Sequence, residues 1–191
     1  MEKDILTRIL MSDDVVSSIT DNLDIILNLI PELEDTIGFD HKHPHHHLDV
    51  WNHTMLALSM APMDFEIRMA LLLHDIGKPH SYQEGEVRHF KNHAHISSLM
   101  SFEILNRLHF SPDEVDELCY LIEQHDSLIT EDEISENINL AIKKFKIQCC
   151  DGLAHNPSKL TKRIAYLESM NERLNSNEEE RESYKALLLK F

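Results

Sequence analysis

The chain has 191 residues, 42% of them hydrophobic, with 34 acidic against 18 basic side chains and a formal charge of −16. That suits one domain with a single sizeable core and excludes general disorder, while the acidic balance disfavours nucleic acid as a partner, because such binding draws its affinity from neutralised phosphates. No apolar stretch approaches the roughly 20 residues of a membrane span, and the polar start Met1-Glu2-Lys3-Asp4 is unlike a signal peptide, so a cytoplasmic protein without membrane contact is expected.

Only 4 Gly, 6 Pro and few β-branched runs leave little material for hairpins, so an all-α bundle is expected throughout. Leu6, Ile9 and Leu10 mark a helix over about 3 to 11, and Ile19, Leu23, Ile26, Leu27 and Ile30 another over about 13 to 30, which Pro31 ends. Residues 32 to 48 read as an irregular connection. Asp49 is placed to cap a helix running to about 60. After Pro62, a helix from about 64 is apolar nearly all round, which implies a central position. A polar loop over 79 to 92 follows, then a helix over roughly 93 to 108. Ser111-Pro112-Asp113-Glu114 combines an N-cap, a Pro at the first helical position and a capping-box Glu. Further helices are expected over about 136 to 152 and, acidic and amphipathic, over the last 30 or so residues, with residues 178 to 182 as a solvated face. Cys119, Cys149 and Cys150 form no CxxC pair and read as reduced core residues.

The chemistry concentrates in Leu71-Leu72-Leu73-His74-Asp75-Ile76-Gly77-Lys78-Pro79, where an apolar run delivers an imidazole and a carboxylate side by side. A buried carboxylate needs an ion pair, dense hydrogen bonding or a metal. His53 precedes Leu56, Ala57 and Met60 at i+3, i+4 and i+7, so it faces inward; His125 continues the stripe of Val115, Leu118 and Ile122; Asp151 lies one turn beyond Ile147. Each histidine taken singly reads as an ordinary hydrogen-bonded core residue. Taken together they point to a metal site of imidazole and carboxylate, which suits Mn, Fe, Co, Ni or Zn and, less well, Mg. The absence of sulfur ligands argues against a purely structural zinc. Of the 14 histidines, those at 41, 43, 45, 46 and 47 form an internal cluster interrupted by Lys42 and Pro44, and are read as native sequence.

The order His53, His74-Asp75, Asp151 resembles the HD-domain superfamily of metal-dependent phosphohydrolases, and His74-Asp75-Ile76-Gly77-Lys78 matches its HDIG form. More narrowly, Leu48-Asp49-Val50-Trp51-Asn52-His53-Thr54 and Phe90-Lys91-Asn92-His93 are similar to the HD domain attached to some bacterial tRNA nucleotidyltransferases, over roughly residues 38 to 155. The expected layout is therefore one domain over residues 1–191, an HD-like core flanked by N- and C-terminal helices. No Gly-Ser nucleotidyltransferase head, no Gly-Tyr-Pro after His125 and no Glu-Asp after His74-Asp75 are present, so a stand-alone phosphohydrolase is expected.

By that resemblance His53, His74, Asp75 and Asp151 bind a first divalent ion, and His93 and His125 supply a second with Asp75 bridging; His95 is a substitute for His93. His74, Asp75 and Lys78 are the catalytic candidates. Lys78, Lys91, Arg68 and His46 are the candidates for contacting a small phosphorylated substrate, most simply a nucleotide, and Glu84 and Glu86 are weak candidates for the acid. His80, His89, His109 and His155 read as loop, surface or packing residues. A di-iron oxygenase and a non-catalytic nucleotide-binding module are the rival readings.

Overall fold

The computed structural model describes residues 2–175 and 178–188, without the side chain of Glu180. Every regular element among the described residues is helical, as the composition implies. Helices α1 (Glu2–Leu10), α2 (Val15–Asp21) and α3 (Leu23–Leu29) form the N-terminal arm. The single helix expected over 13 to 30 is thus two. Asn22 divides it: its backbone leaves the helical region and its side-chain amide donates to the Ser18 carbonyl at 2.8 Å, a local bond that competes with helix continuation.

After a 3-10 turn at Pro31–Thr36 the chain is irregular until α4 (Val50–Ser59), whose N-terminus Asp49 caps by accepting from the Asn52 N–H at 2.7 Å. Helix α5 (Phe65–Leu73) is capped in the same way by Asp64, and everything in it from Ile67 onward is buried. The polar loop expected after the motif begins instead with one helical turn, α6 (Lys78–Ser81), because Pro79 is compatible with a first turn where its missing N–H has no helical partner anyway. Helices α7 (His93–Arg107) and α8 (Pro112–Glu123) follow, and the Ser111–Glu114 capping box is present.

Helix α9 (Glu131–Glu136) was not anticipated, although Thr130 and Glu133 form a second capping box that the sequence displays. Helix α10 (Ile138–Leu153) therefore starts later than expected, at an Asn137 cap. The C-terminal segment carries α11 (Thr161–Leu174) and α12 (Glu178–Leu188). Described residues of the acidic run, Glu178, Glu179 and Glu182, are exposed.

Two hydrophobic clusters share α10. The larger joins α1 to α5, α7 and α8 to Ile147 and Cys150, and the smaller sets Phe145, Cys149 and Leu153 against Leu167, Met170 and Leu174 of α11 and Leu188 of α12. Each fully buried Leu or Ile contributes roughly 1.5–3 kcal/mol. With α5 in the larger core and α10 between the two, the ligand candidates on these helices have little freedom to move.

Candidate metal centre

His74 ends α5 and Asp75 follows it, both essentially inaccessible to solvent. Helix α4 contributes His53, α10 contributes Asp151, His93 opens α7 and His125 stands just past α8. The six meet. His53 Nε2 lies 2.9 Å from Asp151 Oδ1 and 3.7 Å from Asp75 Oδ2, and His74 Nε2 lies 3.2 Å from Asp75 Oδ2 and 3.6 Å from Asp151 Oδ1. On the other side of Asp75, His93 Nε2 is 3.5 Å from Oδ1 and 3.3 Å from His125 Nε2.

Backbone carbonyls orient the rings. His53 Nδ1 faces the Ala154 carbonyl at 3.2 Å, His74 Nδ1 that of Leu71 at 2.7 Å, His93 Nδ1 that of Phe90 at 3.0 Å and His125 Nδ1 that of Ile122 at 2.7 Å. A carbonyl only accepts, so each Nδ1 carries the proton and each Nε2 turns its lone pair to the centre. For His93 and His125 two lone pairs then face each other across 3.3 Å, an arrangement that requires an extra proton or a shared cation.

Such a cation fits. His74 Nε2 and both oxygens of Asp75 are buried with no aligned hydrogen bond, although Lys78 Nζ stands 2.7 Å from Asp75 Oδ2 as an ion pair. Buried polar atoms of this kind are costly without a partner. Among the described residues three groups have donor atoms close enough to hold an ion: His53 with His74 and Asp75, Asp75 with His93 and His125, and His53 with Asp151 and His155. Charge runs the same way. Burial disfavours the His74 imidazolium, yet Asp75 and Asp151 outweigh it and push the ring up to about 10. Burial likewise opposes ionisation of Asp75, but His74 and Lys78 hold its carboxyl well below the usual range. The field that draws a proton onto His74 is one that a divalent cation satisfies more fully. His125 is pushed down to about 4 by burial and by the charge on His74, which leaves it neutral and able to ligate.

The family model of the HD domain matches residues 45–167. The chain belongs to the HD domain family. It is similar to the A-adding tRNA nucleotidyltransferase of Deinococcus radiodurans, 29% identical over 133 residues that cover 64% of this chain and 30% of that protein. It is also similar to the CC-adding tRNA nucleotidyltransferase of Thermus thermophilus, 32% identical over 106 residues, 50% of this chain and 24% of that protein. In both cases the match spans less than a third of the relative.

The HD pair lies beneath an open cavity of about 220 Å³. Lys78 and His46 line it, and so do His93, His125 and Asp151. Lys78 is itself buried, with its ammonium 3.1 Å from His41 Nε2, while His41 directs Nδ1 at the Leu48 carbonyl and stacks on His46 at a ring separation of 3.7 Å. Two other candidates are not brought here. Arg68 is a buried tie that donates to the carbonyls of Leu10, Ser12 and Ala61, because a guanidinium in an apolar helix must find acceptors. Lys91 is exposed and outside the cavity wall. His95 points outward to Glu123 at 2.9 Å, and Glu84 is held on the surface by Lys42 and Arg88.

Sequence reasoning gave no site role to seven wall residues of the HD cavity: His43, Arg88, His89, Phe90, Asp126, His155 and Arg163. His155 follows Asp151 at i+4 and directs its Nδ1 at that residue's carbonyl at 2.9 Å, a spacing that was legible. Arg163 reaches Asp151 Oδ2 at 3.1 Å from α11, across the seam between the two cores, and no local pattern announces such a contact. His89 and Arg88 arrive on a loop pinned by the Gln83–His89 bridge and by Arg88 stacking over Phe39 and Tyr82. Among the described residues no helix is long and apolar enough to cross a membrane.

Proposed function

We propose that the chain is a metal-dependent phosphohydrolase acting on a small phosphorylated substrate, most simply a nucleotide. The observation that carries this reading is the buried His74–Asp75 pair, whose His74 Nε2 and Asp75 Oδ1 lack hydrogen-bond partners, next to a cavity walled by Asp151, His93, His125, Lys78, Arg88 and Arg163. In an acidic molecule that local concentration of cations favours a compact anion over a nucleic acid.

His53, His74, Asp75 and Asp151 would hold a first ion, and His93 and His125 a second, with Asp75 shared between them. The all-nitrogen-and-oxygen donor set suits Mn, Fe, Co, Ni or Zn, with Mg a poorer match. Bound there, a divalent ion supplies Lewis acidity to a phosphoryl oxygen and lowers the pKa of water to the neutral range. The protein supplies the rest. The carbonyl-fixed rings hold their lone pairs in place without rearrangement, and Lys78, on the cavity wall, offsets the charge of a phosphoryl oxygen. His46, whose Nδ1 is buried without a partner, offers the substrate a hydrogen bond. The three thiols are free, which is compatible with a reducing, cytoplasmic setting and no role in the chemistry.

Protein purified without chelators and supplied with Mn, Ni or Co is expected to release phosphate from an aryl phosphate or a nucleotide. Asp75→Ala is expected to lose both bound metal and turnover. Retention of metal and activity by that variant would overturn the assignment.

A further inference from the structure

A second cavity, of about 230 Å³, opens beside the HD cavity and shares His125, Asp126 and Arg163 with it. One molecule can therefore lie in both, with its phosphate over the HD pair. The character of the second cavity is different. Besides the shared residues, its wall is Ser127, Leu128, Gln148, Lys162, Tyr166 and Leu167, so its apolar share comes from Leu128 and the Tyr166 ring.

The phenol and amide groups of this wall are already committed. Tyr166 Oη donates to Gln148 Oε1 at 3.1 Å and accepts from the Ile129 N–H at 3.0 Å, while Gln148 Nε2 donates to the Ser127 carbonyl at 2.6 Å. The fully buried ammonium of Lys144 donates to Ser127 Oγ and to the Leu128 carbonyl, so the loop carrying Leu128 is held from below. What remains open to a ligand is the apolar surface of Leu128 and Tyr166 and the charges of Asp126, Lys162 and Arg163. Leu128 is 69% exposed, the most exposed large apolar side chain among the described residues, and nothing in the fold covers it. Helix α11 also places Lys162 and Arg163 in its first turn with no acidic residue there, against the preference of a helix N-terminus for negative charge. A ligand that brings both a flat apolar body and an anion answers both features.

From this we infer that the second cavity receives the ring of the substrate, which makes that substrate a phosphate ester of a single aromatic ring system, an aryl group or a nucleobase. At about 230 Å³, below the roughly 300–1,000 Å³ of whole-ligand sites, this cavity has room for one ring system while the HD cavity takes the phosphate. This inference rests on the phosphohydrolase reading for the position of the phosphate.

The test separates the two by measuring binding without turnover. Metal-loaded protein is titrated calorimetrically with phenylphosphonate and with methylphosphonate, which present the same anion with and without a ring and cannot be hydrolysed as esters. Phenylphosphonate is expected to bind about tenfold tighter or more. Leu128→Ser, at a site exposed enough to leave folding intact, is expected to cut that preference about fivefold while leaving methylphosphonate affinity within twofold. A uridine 5′-phosphonate arm, expected to keep the preference, distinguishes a nucleobase from a simple aryl group. Equal affinity for the two phosphonates, binding of neither, or a Leu128→Ser preference equal to wild type overturns the inference. Failure of phosphate release with the ring preference intact overturns the hydrolase reading instead.

Discussion

Gly77→Ala tests how the turn after the HD pair is packed. A Cβ at residue 77 would stand 2.6 Å from the Ser97 nitrogen, 2.8 Å from the His93 carbonyl oxygen and 2.9 Å from Ser97 Oγ. Two of these three neighbours are backbone of the first turns of α7 and cannot swing aside. The Gly77 φ of −81° is ordinary, so lack of space, not backbone conformation, demands glycine here. Forcing a methyl into a packed interior costs about 1–3 kcal/mol. Strain on the 2.9 Å bond from the Gly77 N–H to Ser97 Oγ adds about 1 kcal/mol. With a urea m-value of about 2 kcal/mol/M, the midpoint should fall by about 1–2 M with m unchanged. Because α7 begins at His93, 3.5 Å from Asp75, the same displacement should weaken metal bound through His93 and His125 more than metal bound through His53 and Asp151. Urea titration and metal stoichiometry by mass spectrometry read the two effects. Ser97→Ala removes the hydroxyl but neither backbone contact, so it should not rescue Gly77→Ala. Full rescue, or an unchanged midpoint in the single variant, would refute the packing argument.

Divalent metal at about 100 times its Kd should stabilise the fold by ~2.7 kcal/mol, raising Tm by about 5–10 °C in a thermal scan against chelated protein, and Asp75→Ala should abolish the rise. Arg68→Met should cost about 2–4 kcal/mol in urea unfolding, since it strips donors from the carbonyls of Leu10, Ser12 and Ala61, while bound metal stays unchanged; loss of turnover at wild-type stability would return Arg68 to the substrate. Burial opposes the charge on Glu133, but hydrogen bonds from Lys144, Tyr120 and the Thr130 N–H outweigh it and lower the carboxyl to about 2. Its stabilisation is therefore complete above the unfolded value near 4.5 and is lost as pH falls towards 2. Glu133→Gln should be about 1–3 kcal/mol less stable at pH 7, with the gap from wild type narrowing by pH 3; a gap of constant size would show that the ionised carboxylate is not its source.

Residues whose direction follows from helical spacing were legible before the structure. His53 ahead of Leu56, Ala57 and Met60, and Asp151 one turn after Ile147, point inward on periodicity alone, and the caps at Asp49 and Ser111 fix where their helices begin. Helix class and the HD pair needed nothing more. Arg68 was misread because the sequence shows a cation on the helix leading into the motif but not which carbonyls surround it. Lys78 was read as facing only a phosphate; its tie to His41 joins residues 37 apart through an irregular segment without a repeat to follow. Arg163 and the second cavity depend on how α11 settles against α10, a packing decision made by Phe145, Cys149 and Leu153 on a face that periodicity identifies but cannot pair. The break at Asn22 was in principle visible, since Asn competes with the helix for its own carbonyls, but the flanking apolar spacing masked it.

The carbonyls of Leu71, Phe90, Ile122 and Ala154 orient four imidazoles, and any amino acid at those positions supplies the same oxygen. Where ligand histidines lean on carboxylate side chains, a single substitution in the supporting layer can leave a ring in the wrong tautomer. Here the supporting atoms belong to the main chain and survive every replacement that keeps the helices in register. Mutational drift can therefore rewrite the neighbours of these histidines while the donor set stays aimed, which leaves the walls of the adjoining cavities free to diverge towards new substrates.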